Sequence, residues 1–355
     1  MGLVKKILPI RLFSALVVFR DTVNYFLLVI IKSSKFFSWL AMILSPHFLL
    51  EYNNFAKAAY KYEASVKGNR INLYFLRRNI HRIEKGLTMK PLRSEFALRF
   101  ILSTVNSFCY SLKVHEFKMG SEYKWALGVL SQYFKVTSSS DFRYVRARRQ
   151  FFDVIDAEES EKELTEVPLL YGREALGEHF NALKDLLIQR KSVRRFEDKP
   201  INRELINQAL ELAALSPSSC NRQPYCYEVI MDETLAPKVA AIPAGTAGWS
   251  NNVKCLAVLI GDLSAFSNVA NRHSIYVDAS LSVMPFVLAL EAKGLSTCII
   301  NWADNPKKDK AMQKVLGLKD HEKVVLSIAI GYAESDLMVP YSKRKKTNEI
   351  SKYVG

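Results

Sequence analysis

Hydrophobic and polar positions change rhythm twice along the chain. Over the first fifty residues, apolar runs at 12–19, 25–31 and 36–50 are separated by isolated bases, and Pro46 and His47 interrupt the last run. None reaches the ~18–20 uninterrupted apolar residues that a spanning helix needs. Repeated charges and the lack of an A-x-A-like cleavage site argue against a signal peptide. Two readings remain. One is a basic amphipathic segment lying in a membrane interface, bases outward and Phe, Leu and Trp39 inward. The other is a helical segment packed on its own protein or on a partner.

From residue 52 to about 152 the spacing is helical, with Phe55, Ala58, Ala59 and Tyr62, then Ile71, Tyr74 and Phe75, recurring at three and four residues. The cluster His81-Arg82-Ile83-Glu84-Lys85-Gly86-Leu87 reads as a solvated helix end with local ion pairs, Gly86 serving as the stop. A phosphate or acidic-sugar site is the alternative there. Residues 153–175 read as an acidic linker, with Pro168 and Gly172 marking a turn.

Beyond that linker the rhythm mixes. Residues 180–188 and 203–214 have helical spacing, 276–293 is a long apolar helix ending at Gly294, and 227–231, 255–261, 296–300 and 324–330 read as strands. Without regular strand–helix alternation, the fold class expected for residues 176–355 is α+β, behind a mainly α-helical N-terminal extension.

Charge sharpens this division. The net charge of +15 is distributed as +17 over residues 1–150, −7 over 151–180 and +5 over the remainder. An anionic surface is the simple partner for so basic an N-terminal part. Nucleic acid is disfavoured: Arg143, Arg146, Arg148 and Arg149 alternate with Phe142, Tyr144 and Phe151, but no recognised binding signature accompanies them. Five scattered cysteines, with neither a C-x-x-C pair nor zinc spacing, fit a reducing compartment and no metal site. The localisation expected is cytoplasmic, peripheral at the inner face of the membrane.

Four features can converge on one ligand. Arg190, Lys191, Ser192 and Arg194 place three cations and a hydroxyl within five residues, suited to a phosphate. Pro217, Ser218, Ser219, Asn221 and Gln223 form a polar loop suited to the edge of a heterocycle. Gly294-Leu295-Ser296 exposes backbone at a helix-to-strand turn, and Lys343-Arg344-Lys345-Lys346 adds a second cationic group. Taken singly, each is equally well a helix end, a polar loop, a helix stop or a solvated tail.

Their order is more specific. RKSVRRF, then LAALSPSSCNRQPYCYEVI, then VDASLSVMPFVLALEAKGLSTCII resembles the FMN-dependent nitroreductase family over about residues 180–350. The resemblance implies a homodimeric α+β sandwich with FMN at the subunit interface. Arg190, Lys191, Ser192 and Arg194 would hold the phosphate, ribityl chain and one ring edge, with Arg194 the cation near N1. Pro217, Ser218, Ser219, Asn221 and Gln223 would reach the flavin of the other subunit. Gly294 and Ser296 would lie by the reactive ring, and Lys343 and Arg344 would complete the phosphate grip.

The activity implied is hydride transfer from NADH or NADPH through flavin N5 to an electron-poor small-molecule acceptor, with ping-pong kinetics. The acceptor would be a nitro compound, a quinone or a dedicated substrate. The flavin carries this chemistry, so no catalytic side chain is required. Gly245-Thr246-Ala247-Gly248 reads as a loop over the site, with Trp249 either a lid or a packing residue. Two departures from the family stand out: the 175-residue extension, and a C-terminus that stops soon after the basic run. The competing reading is a membrane-attached accessory or binding protein of surface-polysaccharide assembly that uses the fold without turnover.

Overall fold

The computed structural model describes residues 10–68, 70–155, 168, 177 and 179–355. Apart from residues 153–155 and 168, the expected acidic linker lies outside the described residues. Two compact units divide the chain, Met1–Asn54 and Phe55–Gly355.

In the first unit, α1 (Ile10–Ser33) and α2 (Lys35–Leu44) are separated by Ser34, whose hydroxyl caps α2 by accepting from the Phe36 amide. No residue of α2 is buried. Phe19, Tyr25, Phe26, Leu28, Phe36, Trp39 and Leu44 are 54–69% exposed. The N-terminal part is helical, as its spacing predicts.

The second unit starts within α3 (Pro46–Lys67) and continues through α4 (Leu73–Leu87), α5 (Ile101–Ser111), α6 (His115–Met119), α7 (Ser121–Val136) and α8 (Phe142–Phe152). Asn72 caps α4, its Oδ1 accepting from the Phe75 amide at 2.9 Å. Leu76, Ile80 and Ile83 then line one face at helical spacing and enter a core with Phe108, Tyr133, Phe134, Tyr144 and Phe151. Two expectations change here. Ile71 precedes the helix and is exposed. Gly86 lies inside α4 rather than ending it: the Phe96 ring occupies the space that a Cβ would need. On α8, Tyr144 and Phe151 are core residues while Arg146, Arg148 and Arg149 face solvent; Phe142 is exposed and lies beside Arg143.

The rest of the unit is α+β. After α9 (His179–Gln189) and α10 (Arg203–Ala214) come β1 (Tyr225–Ile230), α11 (Ala236–Ala240), β2 (Cys255–Asp262), α12 (Ser274–Ala292), β3 (Ser296–Asn301), α13 (Pro306–Leu316), β4 (Glu322–Gly331) and the short α14 (Thr347–Ile350). The four strands form one antiparallel sheet in the order β1-β2-β4-β3. β2 is an unbroken apolar run because both its faces are covered. Cys255, Ala257 and Leu259 pack against α10 and α12, whereas Leu256, Val258 and Ile260 pack against α11, Val193 and Phe196. Phe55 and Ala58 of α3 share a further core with Leu263, Phe266 and Ile275, which joins the helical region to the sheet region.

Among the described residues one helix, Val269–Ala292, is long and apolar enough to cross a membrane, and half of its most apolar window is buried within the protein.

Candidate functional site

The basic motif leaves α9 and docks along the outer edge of β3. Ser192 forms a parallel bridge with Thr297, and the Val193 amide donates to the Thr297 carbonyl at 3.0 Å. Buried Val193 and Phe196 anchor the segment, leaving Lys191 and Arg194 exposed and Arg190 and Ser192 half-buried. Arg195 pairs with Glu334 at 2.8 Å, but Arg190, Lys191 and Arg194 have no carboxylate within ion-pair distance among the described residues. Burial pushes the neighbouring Cys298 thiol up, and the fields of Arg194 and Arg190 oppose that rise, placing both guanidiniums close to β3.

Beside this edge, Gly294 closes α12 at φ 77°, a left-handed conformation that favours glycine. The Gly294 amide donates to Glu291 and the Leu295 amide to Leu290. Leu295 is fully buried, and Ser296 begins β3 opposite Gly331. The structure thus places Arg190, Lys191, Ser192, Arg194, Gly294 and Ser296 along one edge. Lys343 and Arg344 lie in an exposed tail, where Arg344 Nη1 donates to the Ser342 carbonyl at 2.7 Å. That tail starts next to the basic motif, since Phe196 bridges Ala333 and the Glu197 amide donates to Tyr332.

The polar loop lies elsewhere. It leads into β1, at the opposite edge of the sheet from β3. Within four residues Cys220, Asn221 and Gln223 all have φ near +50°, costly for side chains with a Cβ and sustained only where the surroundings fix the backbone. Those surroundings are visible. Ser219 donates its amide to Asp278 Oδ1 at 3.0 Å, and Gln223 donates its amide to Ser218 Oγ at 2.9 Å. Gln223 Nε2 donates to Asn221 Oδ1 at 3.1 Å, Arg222 Nη1 to the Ser219 carbonyl at 3.2 Å, and Arg77 Nε to the Asn221 carbonyl at 2.8 Å. Pro217 and Ser219 are exposed at the loop's crest.

Three supporting residues were not singled out from the sequence: Arg77, Arg222 and Asp278. Asp278 is 4% exposed, and burial raises its carboxyl pKa, while the Ser219 amide and the Arg222 charge oppose that shift. An acid within the otherwise apolar stretch 275–290 was the signal that could have found it. Trp249 packs against the core beneath the 245–248 turn and donates Nε1–H to the Gly245 carbonyl at 3.1 Å. Among the described residues no group of His, Cys, Asp and Glu could hold a metal ion, and all five cysteines are free.

An antiparallel four-stranded sheet packed by helices, with a cationic segment on one edge and a polar loop leading into the other, defines the α+β class expected from the sequence. The model of the Nitroreductase family matches residues 187–254 and 245–332. The C-terminal half of the chain is therefore a nitroreductase-family domain, carried with an additional N-terminal region. MhqN of Bacillus subtilis, which bears a provisional NAD(P)H nitroreductase name, is 26% identical over 205 residues, 48% of this chain and 97% of its own. Iodotyrosine deiodinase 1 of Pongo abelii is 22% identical over 229 residues, 56% of this chain and 78% of its own. An FMN-dependent nitroreductase of Clostridium difficile aligns in structure at 23% identity and a TM-score of 0.39, over 44% of this chain and 91% of that one.

Proposed function

We propose that the C-terminal domain binds FMN and works as an oxidoreductase, taking hydride from NADH or NADPH through flavin N5 and delivering it to an electron-poor acceptor in ping-pong fashion. The observation that carries this reading is the run of cations Arg190, Lys191 and Arg194, which have no carboxylate partner among the described residues and are held along β3 beside the backbone turn at Gly294. Charged groups without partners at a fixed edge fit a phosphate and the anionic side of a reduced ring.

In this reading Arg190 and Lys191 bind phosphate, Ser192 holds the ribityl chain, and Arg194 keeps a positive charge beside N1. Gly294 and Ser296 leave backbone open to the ring, while Lys343 and Arg344 close over the phosphate. When bound, FMN supplies the two-electron exchange. No side chain need act as a nucleophile.

A second copy of the chain completes the site. The cationic segment lies beyond β3 and the loop leads into β1, so four inter-strand spacings, about 19 Å at ~4.8 Å each, separate them within one chain. In a two-fold pair, Pro217, Ser218, Ser219, Asn221 and Gln223 reach the partner's flavin. Exposed Val277, Leu281 and Met284 on α12, with Leu212 and Leu215 by α10, supply apolar area for such a contact.

The acceptor is a small molecule, and the names of the relatives span nitro-group reduction and deiodination. We place the protein in the cytoplasm, peripheral at the inner membrane face. The exposed apolar surface of α1 and α2, the basic N-terminal part and the free cysteines support this.

The test is an absorbance spectrum of the purified chain followed by anaerobic titration with NADH and with NADPH. A flavin spectrum bleached by either nucleotide is expected. The oxidised protein should then be regenerated by one member of a panel of nitroarene, quinone and iodotyrosine. Bound flavin that no nucleotide reduces would favour a binding role without turnover. Failure to take up added FMN would overturn the reading.

A further inference from the structure

A cavity of about 340 Å³ lies between α3, α4, the end of the polar loop and the residues after β2. Its walls include Lys61, Tyr62, Tyr74, Arg77, Arg222 and Gln223. Arg222 is only 7% exposed, yet the contacts it makes are neutral: its Nη1 donates to the Ser219 carbonyl, and its guanidinium lies over the face of Phe266 at 4.6 Å. Its Nε is buried and has no hydrogen-bond partner. Asp278, whose field reaches it, accepts from the Ser219 amide through Oδ1, keeps Oδ2 buried without a hydrogen-bond partner, and forms no ion pair with Arg222 among the described residues.

The two acids on the cavity wall are already engaged. Glu122 pairs with Arg77 at 3.1 Å. Asp262 accepts from the Ser264 amide and hydroxyl and from Tyr74 at 3.0 Å. Among the described residues Lys61 has no carboxylate within ion-pair distance; its ammonium donates to His321 Nε2 at 2.7 Å. Two cations without carboxylate partners, one of them buried, thus face a space walled by two phenol rings. Leaving a buried charge unpaired is costly, and an oxyanion supplied from outside relieves that cost.

We propose that this cavity binds a small organic oxyanion, a carboxylate or a phosphate monoester attached to a ring. Arg222 and Lys61 receive the charge, and Tyr62 and Tyr74 flank the ring. The volume falls within the range of small-molecule sites. Lys61, Tyr62 and Tyr74 lie on α3 and α4, outside every residue assigned to the flavin, whereas Arg222 belongs to the polar loop, so the Lys61 variant is the arm that separates this site from the flavin reading.

Isothermal titration of the full chain with phenyl phosphate, benzoate and phenol tests it. One of the two anions should bind with 1:1 saturation, and comparing them separates phosphate from carboxylate. Phenol should bind about tenfold more weakly or worse, as loss of a charge-assisted contact implies. Arg222→Gln should weaken the preferred anion by about tenfold or more. Lys61→Gln, at an exposed position, should weaken it several-fold, keeping the test open where Arg222→Gln fails to fold. Arg190→Gln should leave this binding unchanged, which separates the cavity from the cationic edge at β3. Equal binding of phenol, binding lost in Arg190→Gln but kept in Lys61→Gln, or no binding of either anion would overturn the proposal.

Discussion

Arg77, in the helical region before the sheet, donates its Nε–H to the main-chain carbonyl of Asn221 at 2.8 Å, a contact across 144 residues of sequence. The same guanidinium pairs with Glu122 and lies over the Trp125 ring. A helix in the additional N-terminal region therefore braces the loop that the nitroreductase-family domain presents at its sheet edge.

Replacing Arg77 by Met should cost about 1–3 kcal/mol of stability, because the carbonyl and Glu122 both lose a largely buried partner. FMN affinity should fall as well, since the loop loses a brace. Arg77→Lys should not rescue it, as an ammonium cannot serve both acceptors with a planar fork. Chemical denaturation and a flavin fluorescence titration would measure the two effects.

Left-handed backbone at Cys220 makes its side chain a liability. Cys220→Val should destabilise by about 1–2 kcal/mol, whereas Cys220→Gly should cost little, because glycine adopts that φ freely. Midpoints of urea unfolding for the two variants would separate backbone strain from loss of the thiol.

Gly86→Ala should destabilise by about 1–3 kcal/mol, although alanine is the better helix former, because the added methyl meets the Phe96 ring. A paired Phe96→Leu should recover part of the loss. A thermal melt showing Gly86→Ala as stable as the parent would contradict the packing described.

Burial holds the His321 imidazole below its ordinary range, more than the Asp262 charge raises it, and Lys61 adds to the depression. The unfolded chain then binds this proton more readily than the folded one. The stabilisation is complete above the unfolded value, about pH 6.5, and is lost as the pH falls through it. Denaturation at pH 7.5 and 5.5 should show a loss on acidification that is reduced in His321→Gln.

Arg190→Gln and Arg194→Gln should each weaken FMN binding by about tenfold, with the effect of Arg190 the more sensitive to phosphate. Comparing FMN with riboflavin would separate the two: only the loss at Arg190 should vanish for riboflavin.

The sheet was legible because β2 is a continuous apolar run covered on both faces, while β1 alternates exposed with half-buried positions. The cationic segment and the polar loop were legible because their residue types are unusual for element interiors. Their supports were less so. Asp278 stood out chemically, but periodicity alone gave no hint that its partner was the Ser219 amide. Arg77 sits next to Arg78 in a basic stretch, and nothing local distinguishes the arginine that crosses to the loop from the one that does not. Gly86 was misjudged because helix-stopping and close approach call for the same residue. Only the position of Phe96 separates the two.

α12 links two of these features. Near its start Asp278 fixes the loop, and past its end Gly294 opens the turn beside the cationic edge. In the two-fold pair proposed above those ends would serve different flavins, so a lesion in this one helix would spoil its own pocket and its neighbour's alike. A mixed dimer of one damaged and one intact chain would then have no sound pocket, and the defect would be dominant. A lesion confined to the loop would leave one pocket whole and be recessive by half.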